Sequence, residues 1–262
     1  MSQSSASPRP TTLPQMADQS FEWFEKLKQT YTNGLRENFA LDPLNGCVVL
    51  VEGVTDIEYL TAAADKVRNE LGHDLLDASP LYGADARITI TTPGTPKHPD
   101  PSKKHTGGTK QLGRLIQFLS GYRALFESSS RLCIVVDHDQ AGRDILKTLN
   151  DNAFADEYMG LSHDPAHHHF ACSNSDVVVE DLLSLKIQEA FFGSGRSCCR
   201  VTYTEGVRTR FQWDMPSKDQ LPVFVREHGS WEDVQEMARV LVRVRSLWSL
   251  PCPDITFRQL SA

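Results

Sequence analysis

The chain has 262 residues, 40% of them hydrophobic and 23% charged, the balance of an ordinary globular protein with room for one large domain and its appendages. Its formal net charge of −7 speaks against a protein that passively coats nucleic acid through a basic surface, but not against an acidic cluster whose sign bound cations would reverse. No apolar run approaches the roughly 18 residues of a membrane span. The opening MSQSSASPRPTTLPQ lacks the basic and apolar regions of a secretory signal. The six cysteines include no CxxC pair, so zinc-site spacing is absent and a reduced, cytoplasmic protein is expected.

In chain order, residues 1–19 read as a disordered Ser/Pro/Thr tail and 20–45 as an N-terminal helix with Phe21, Phe24, Leu27, Tyr31 and Leu35 on its apolar stripe. Cys47–Val51 (CVVLV) is a continuous apolar, β-branched run, the pattern of a buried parallel strand. Helical spacing follows from Thr55 to Leu71. A second strand is predicted over Ala86–Thr92, a Pro/Gly/Lys/His loop over 93–108, and a helix over Lys110–Phe126. Leu132–Val136 (LCIVV) is the third strand, with a helix from Gly142 to Leu149. After a His-rich loop from His163 to His169, a fourth strand is predicted at Phe170–Cys172 and a helix over Asp181–Phe192. Residues 196–262 read as an extension with a hairpin over Val201–Trp213 and helices over Lys218–Arg226 and Trp231–Trp248. Strands alternating with helices predict an α/β fold, a mainly parallel sheet with helices on both faces. Its sites lie at the carboxyl ends of the strands.

Two segments put acids at such ends. In Val51-Glu52-Gly53-Val54-Thr55-Asp56, Glu52 directly follows the first strand and Asp56 falls in the first turn of the next helix, where a carboxylate is also favoured simply as a capping-region acid. In Val136-Asp137-His138-Asp139, the two Asp residues are two apart and face one way in extended chain. Clustered carboxylates repel and call for a shared proton or a cation. Hard divalent ions take oxygen ligands, and Mg²⁺ needs only one or two carboxylates beside substrate phosphate.

VEGVTDIEYL after the first strand, joined to VVDHDQAG after the third, resembles the Toprim family, marked by a Glu at one strand end and Asp-x-Asp at another. The likeness spans roughly residues 46–185, within a catalytic domain expected over 46–195, and is greatest to the OLD-family nuclease branch. It implies a Rossmann-like Toprim fold and a nuclease that hydrolyses phosphodiester bonds of DNA or RNA with two Mg²⁺ or Mn²⁺ ions, with defence against phage or plasmids as one setting. It implies ligand roles for Glu52, Asp56, Asp137, Asp139 and Glu180, the last from VVVEDLL, and a catalytic Lys, assigned to Lys218 in DMPSKDQL. Glu180 also suits a cap of the helix predicted at Asp181. Lys103, Lys104 and Lys110, flanking Gly107-Gly108, are candidate nucleic-acid contacts. OLD nucleases carry an ATPase on the same chain. This sequence has no GxxxxGK[ST] loop, so the implied partners are a second copy of the chain or a separately encoded ATPase. Exposed aromatics on the terminal helices, Trp231 and Trp248 among them, are candidate docking residues, and equally candidates for packing onto the sheet.

The histidines at 163 and 167–169 read as a solvated loop rather than a transition-metal site, and His138 points away from its flanking acids. Arg196, Arg200, Arg208 and Arg210 suit either phosphate contact or a solvated face. Other readings of the chain are a primase-like or RNA-processing enzyme and a noncatalytic nucleic-acid-binding module.

Overall fold

The computed structural model describes residues 13–44, 46–94, 107–122, 125, 131–151, 158–168, 176–204 and 207–258. The elements are α1 (Leu13–Phe39), β1 (Cys47–Val51), α2 (Val54–Leu71), α3 (Ser79–Tyr82), β2 (Ile88–Thr91), α4 (Thr109–Gly121), β3 (Arg131–Val136), α5 (Gln140–Asp151), β4 (Tyr158–Ser162), α6 (Leu185–Gly193), β5 (Cys198–Thr204), β6 (Val207–Trp213), α7 (Met215–His228) and α8 (Gln235–Leu247). Short 3₁₀ turns occupy Pro165–His167, Val179–Leu182 and Trp231–Val234.

The fold is α/β. Four parallel strands run in the order β2-β1-β3-β4, and the apolar runs that predicted β1 and β3 are buried on both faces. Successive side chains divide between the faces, as strand geometry requires. Cys47, Val49, Val51, Cys133 and Val135 enter one core with Tyr59, Leu60 and Ala63 of α2. Val48, Leu50, Leu132, Ile134 and Val136 enter a second, with Leu112, Leu115 and Leu119 of α4, Ile145 of α5 and Leu35 of α1. The chain crosses to β2 on one side of β1 and to β3 on the other, so the topological switch point falls between β1 and β3, where ligands of such sheets bind.

The antiparallel β5–β6 hairpin, α7 and α8 pack on the α2 side. Phe211, Trp213, Leu221, Val225, Met237 and Trp248 belong to the same core as β1 and α2. Trp231 and Trp248 are therefore interior residues rather than docking residues. Phe21 and Trp23 on α1 are exposed.

Several sequence expectations need correction. α1 begins at Leu13, inside the segment read as a tail. The fourth strand is Tyr158–Ser162, whose Gly and Ser gave no β signal, while the strand predicted at Phe170–Cys172 lies outside the described residues. The helix expected from Asp181 begins only at Leu185, with Ser184 as its N-cap accepting from Ile187 N at 3.2 Å. Among the described residues, no helix is long and apolar enough to cross a membrane.

Candidate functional site

Glu52 and Asp137 are the first residues past two adjacent parallel strands, so the sheet sets them side by side. The Asp137 backbone N donates to Glu52 Oε1 at 3.0 Å across the switch point. Glu52's own carbonyl accepts from Thr92 Oγ1 at 3.0 Å and from Gly108 N. Gly108 takes this position at φ +93°, which favours glycine. Gly107 bridges Gly53 at φ +90°, and a Cβ there would collide with the Glu52 carbonyl.

Asp56 lies in the first turn of α2 and accepts from Gly53 N through Oδ2 at 2.9 Å, so the capping role weighed from sequence is real. Asp139 stands just before α5 and accepts from Gly142 N at 2.8 Å, an N-cap contact. Gly142 is needed because a Cβ would strike the Asp137 carbonyl. Asp137 Oδ1 accepts from Val179 N at 2.9 Å, and the backbone of His138 pairs with that of Val177. These bonds fasten the segment leading to the 3₁₀ turn against the end of β3 and bring Glu180 to the site. Glu180 is 4% exposed and binds Lys218 Nζ at 3.0 Å. Lys218 lies in the first turn of α7, which Asp214 caps by accepting from Ser217 N at 2.9 Å.

Five acids and one lysine, from distant parts of the chain, thus share one electrostatic environment. Burial raises the pKa of Glu52, opposed by the Asp137 N–H and reinforced by Asp139. Burial, with repulsion from Glu180 and Glu52, pushes Asp56 up to about 7. Asp137 is pushed well above the usual carboxylate range by burial and then by Asp56, Glu52 and Glu180. For Lys218, burial favours the neutral amine, but Glu180, Asp137 and Asp56 outweigh it and hold the ammonium charged.

No protein-family model, curated protein or solved structure matches this chain.

The donor chemistry fits a hard divalent ion: buried carboxylate oxygens with too little positive charge around them. The present side-chain arrangement is not a ready-made shell. Among the described residues, no three His, Cys, Asp or Glu groups are gathered closely enough to hold a metal. Each acid instead takes a local partner: the Asp137, Gly53, Val179 or Gly142 N–H, or the Lys218 ammonium. Binding an ion would require some of these contacts to be exchanged.

The sequence reading missed Asp181 and misplaced Arg210 and His163. Asp181 is buried and pairs with Arg210 Nη2 at 3.0 Å. Burial raises Asp181 to about 6 although Arg210 opposes it. Arg210 is therefore neither a free phosphate ligand nor part of a solvated face, which corrects its reading. His163 was expected in a solvated loop but is buried, with Nε2 3.9 Å from Asp137 Oδ1. Burial, with some help from the positive surroundings, pushes its pKa down to about 3. His168 is buried too, against Glu236. The only available signal was that His163 follows a strand end, and that strand had no apolar pattern. His138 contacts Ser162 Oγ through Nδ1 at 3.0 Å. Lys110 is exposed in the first turn of α4, beside the Gly107–Gly108 loop. Lys103 and Lys104 lie outside the described residues.

Proposed function

We propose that the protein is a divalent-metal-dependent nuclease that hydrolyses phosphodiester bonds of DNA or RNA, and that it is a Toprim protein of the OLD-family type. The observation that carries this reading is the convergence of Glu52, Asp56, Asp137, Asp139, Glu180 and Lys218 at one switch point. Mutual repulsion among the buried acids leaves a cluster that a cation would relieve. In this reading Glu52 and Asp137, with Asp139, hold one Mg²⁺ or Mn²⁺, and Asp56 with Glu180 hold a second. When bound, such ions activate water and stabilise the leaving oxygen. Lys218 gives up its bond to Glu180 and offsets charge on the phosphate as it develops. The Asp137 backbone N–H orients Glu52, and the Val179 N–H orients Asp137. The exposed Lys110 meets the nucleic-acid backbone, a contact that positions without reading sequence.

The test is incubation of the protein with supercoiled plasmid, single-stranded DNA and tRNA in Mg²⁺ or Mn²⁺. Glu52→Gln and Asp137→Asn serve as matched folded controls. Metal-dependent cleavage by wild type alone is expected, and equal rates in the folded variants would sink the assignment.

A second reading, a noncatalytic nucleic-acid-binding module, draws on the absence of a ready-made three-ligand group among the described residues. Binding without cleavage in the same assay would favour it. As partners we propose a second copy of the chain or a separately encoded ATPase. Light scattering tests the first, and affinity capture from the native host tests the second.

A further inference from the structure

We propose that His163 is a positioning residue for the Asp137 carboxylate, with its Nε2–H turned towards Oδ1. The inference rests on the metal-dependent reading only for its effect on catalysis. The pairing itself follows from the sheet. In the parallel register Val136 sits opposite Ser162, so Asp137 and His163 are the next residues past adjacent strand ends. The His163 backbone N donates to the Val136 carbonyl at 3.2 Å and fixes the turn. The imidazole is 4% exposed and the Asp137 side chain 23%. Asp137 therefore has an interior flank, and His163 is on it.

The 3.9 Å between Nε2 and Oδ1 is longer than a hydrogen bond, so the pairing requires the two groups to turn towards each other. The ring has little freedom to turn away. His168 stands edge-on to it, 6.3 Å between centroids. His168 is held through Nδ1 by Glu236 Oε2 at 3.0 Å, an oxygen that also accepts from Arg239 Nε at 2.9 Å. The tautomer follows from satisfaction of buried groups. Nδ1 of His163 is buried with no hydrogen-bond partner among the described residues. A proton there would leave an orphan donor, whereas a proton on Nε2 faces a carboxylate. Val179 N–H and the His163 ring both address Oδ1, which leaves Oδ2 to meet a cation. Partners of this kind fix a ligand's orientation, and their loss commonly lowers metal affinity.

The experiment is ¹⁵N NMR of the histidine rings at pH 7 in EDTA, for wild type and Asp137→Asn, followed by Mn²⁺ titration calorimetry of wild type, His163→Gln and His163→Leu. The expected result is an Nε2–H tautomer for His163 whose Nε2 resonance moves in Asp137→Asn. His163→Leu then loses roughly 10–100-fold in Mn²⁺ affinity, while His163→Gln, whose amide can donate at the same place, keeps it. A proton on Nδ1, an Nε2 resonance indifferent to Asp137→Asn, or Leu and Gln variants that both bind as wild type would overturn the proposal. A ring that responds to Asp137→Asn in a wild type that binds no Mn²⁺ would end the metal reading and leave the His163–Asp137 pairing standing.

Discussion

Lys218 and Glu180 form a carboxylate–ammonium contact inside the acid cluster, and the role of Lys218 separates from that of the acids. If Lys218 acts on phosphate charge, Lys218→Ala should slow cleavage by about 10²–10³ while Mn²⁺ affinity stays near wild type. Parallel losses in rate and affinity would place Lys218 in metal binding instead. Asp56 makes a second prediction, for the metal-free protein. Its pKa is about 7 when folded and about 3.9 when unfolded. Between those values the folded state binds more protons, so stability falls as pH rises through the window. That is the reverse of a salt-bridged surface carboxylate. Melting temperature in EDTA should decline from pH 5 to pH 8. Asp56→Asn, whose amide oxygen can still accept from Gly53 N, should flatten part of that decline. A wild-type profile that rises with pH would contradict the burial of this group.

At the scale of elements, the site is assembled by segments that do not touch in sequence. β1 and β3 supply Glu52 and Asp137, the 3₁₀ turn at Val179–Leu182 supplies Glu180, and α7 supplies Lys218. The hairpin and the turn are joined by Arg210 and Asp181, with side chains 12% and 5% exposed. Removing one member of a buried pair leaves a bare charge and costs about 3–5 kcal/mol. Arg210→Met should cost on that order at pH 8 and less at pH 5, where Asp181, already raised to about 6, takes up a proton. Urea melts at the two pH values measure this. Equal losses would mean that packing of Arg210, rather than its charge, holds the turn.

For the molecule as a whole, crowding of the buried acids opposes folding, and on the proposed reading a bound cation would offset it. An ion that binds only the folded state adds about 2.7 kcal/mol at a hundredfold excess over Kd. That corresponds to a rise in melting temperature on the order of 5–10 °C for a domain somewhat smaller than this one. Wild type should show it with millimolar Mn²⁺ and Glu52→Gln should not. A wild-type melting temperature indifferent to metal would count against the site. The terminal helices divide in the same global sense. Tyr31, Leu35 and Phe39 of α1 are buried, but Phe21 and Trp23 are exposed. Trp231 is buried, and Trp248 lies in the core that α2 shares with the hairpin.

The sequence alone determined the parts whose signal is local. Short continuous apolar runs rich in β-branched residues read as strands buried on both faces, so Cys47–Val51 and Leu132–Val136 were legible together with the acids that end them. The spacing of Leu112, Leu115 and Leu119 marked a helix in the same way. The tertiary structure decided what depends on neighbours distant in the chain. The order β2-β1-β3-β4 put the switch point between the two acid-bearing strands, and no periodicity encodes that order. Tyr158–Ser162 is a strand because β3 offers it an edge, although MGLS carries little β propensity of its own. That strand carried His163 into the interior beside Asp137, where composition had suggested a solvated loop. Asp181 likewise had no visible partner until the hairpin folded back to place Arg210 against it. Burial and charge pairing are sums over three-dimensional neighbours, which is why the acids at the strand ends could be read from the sequence and the places of His163, Asp181 and Arg210 beside them could not.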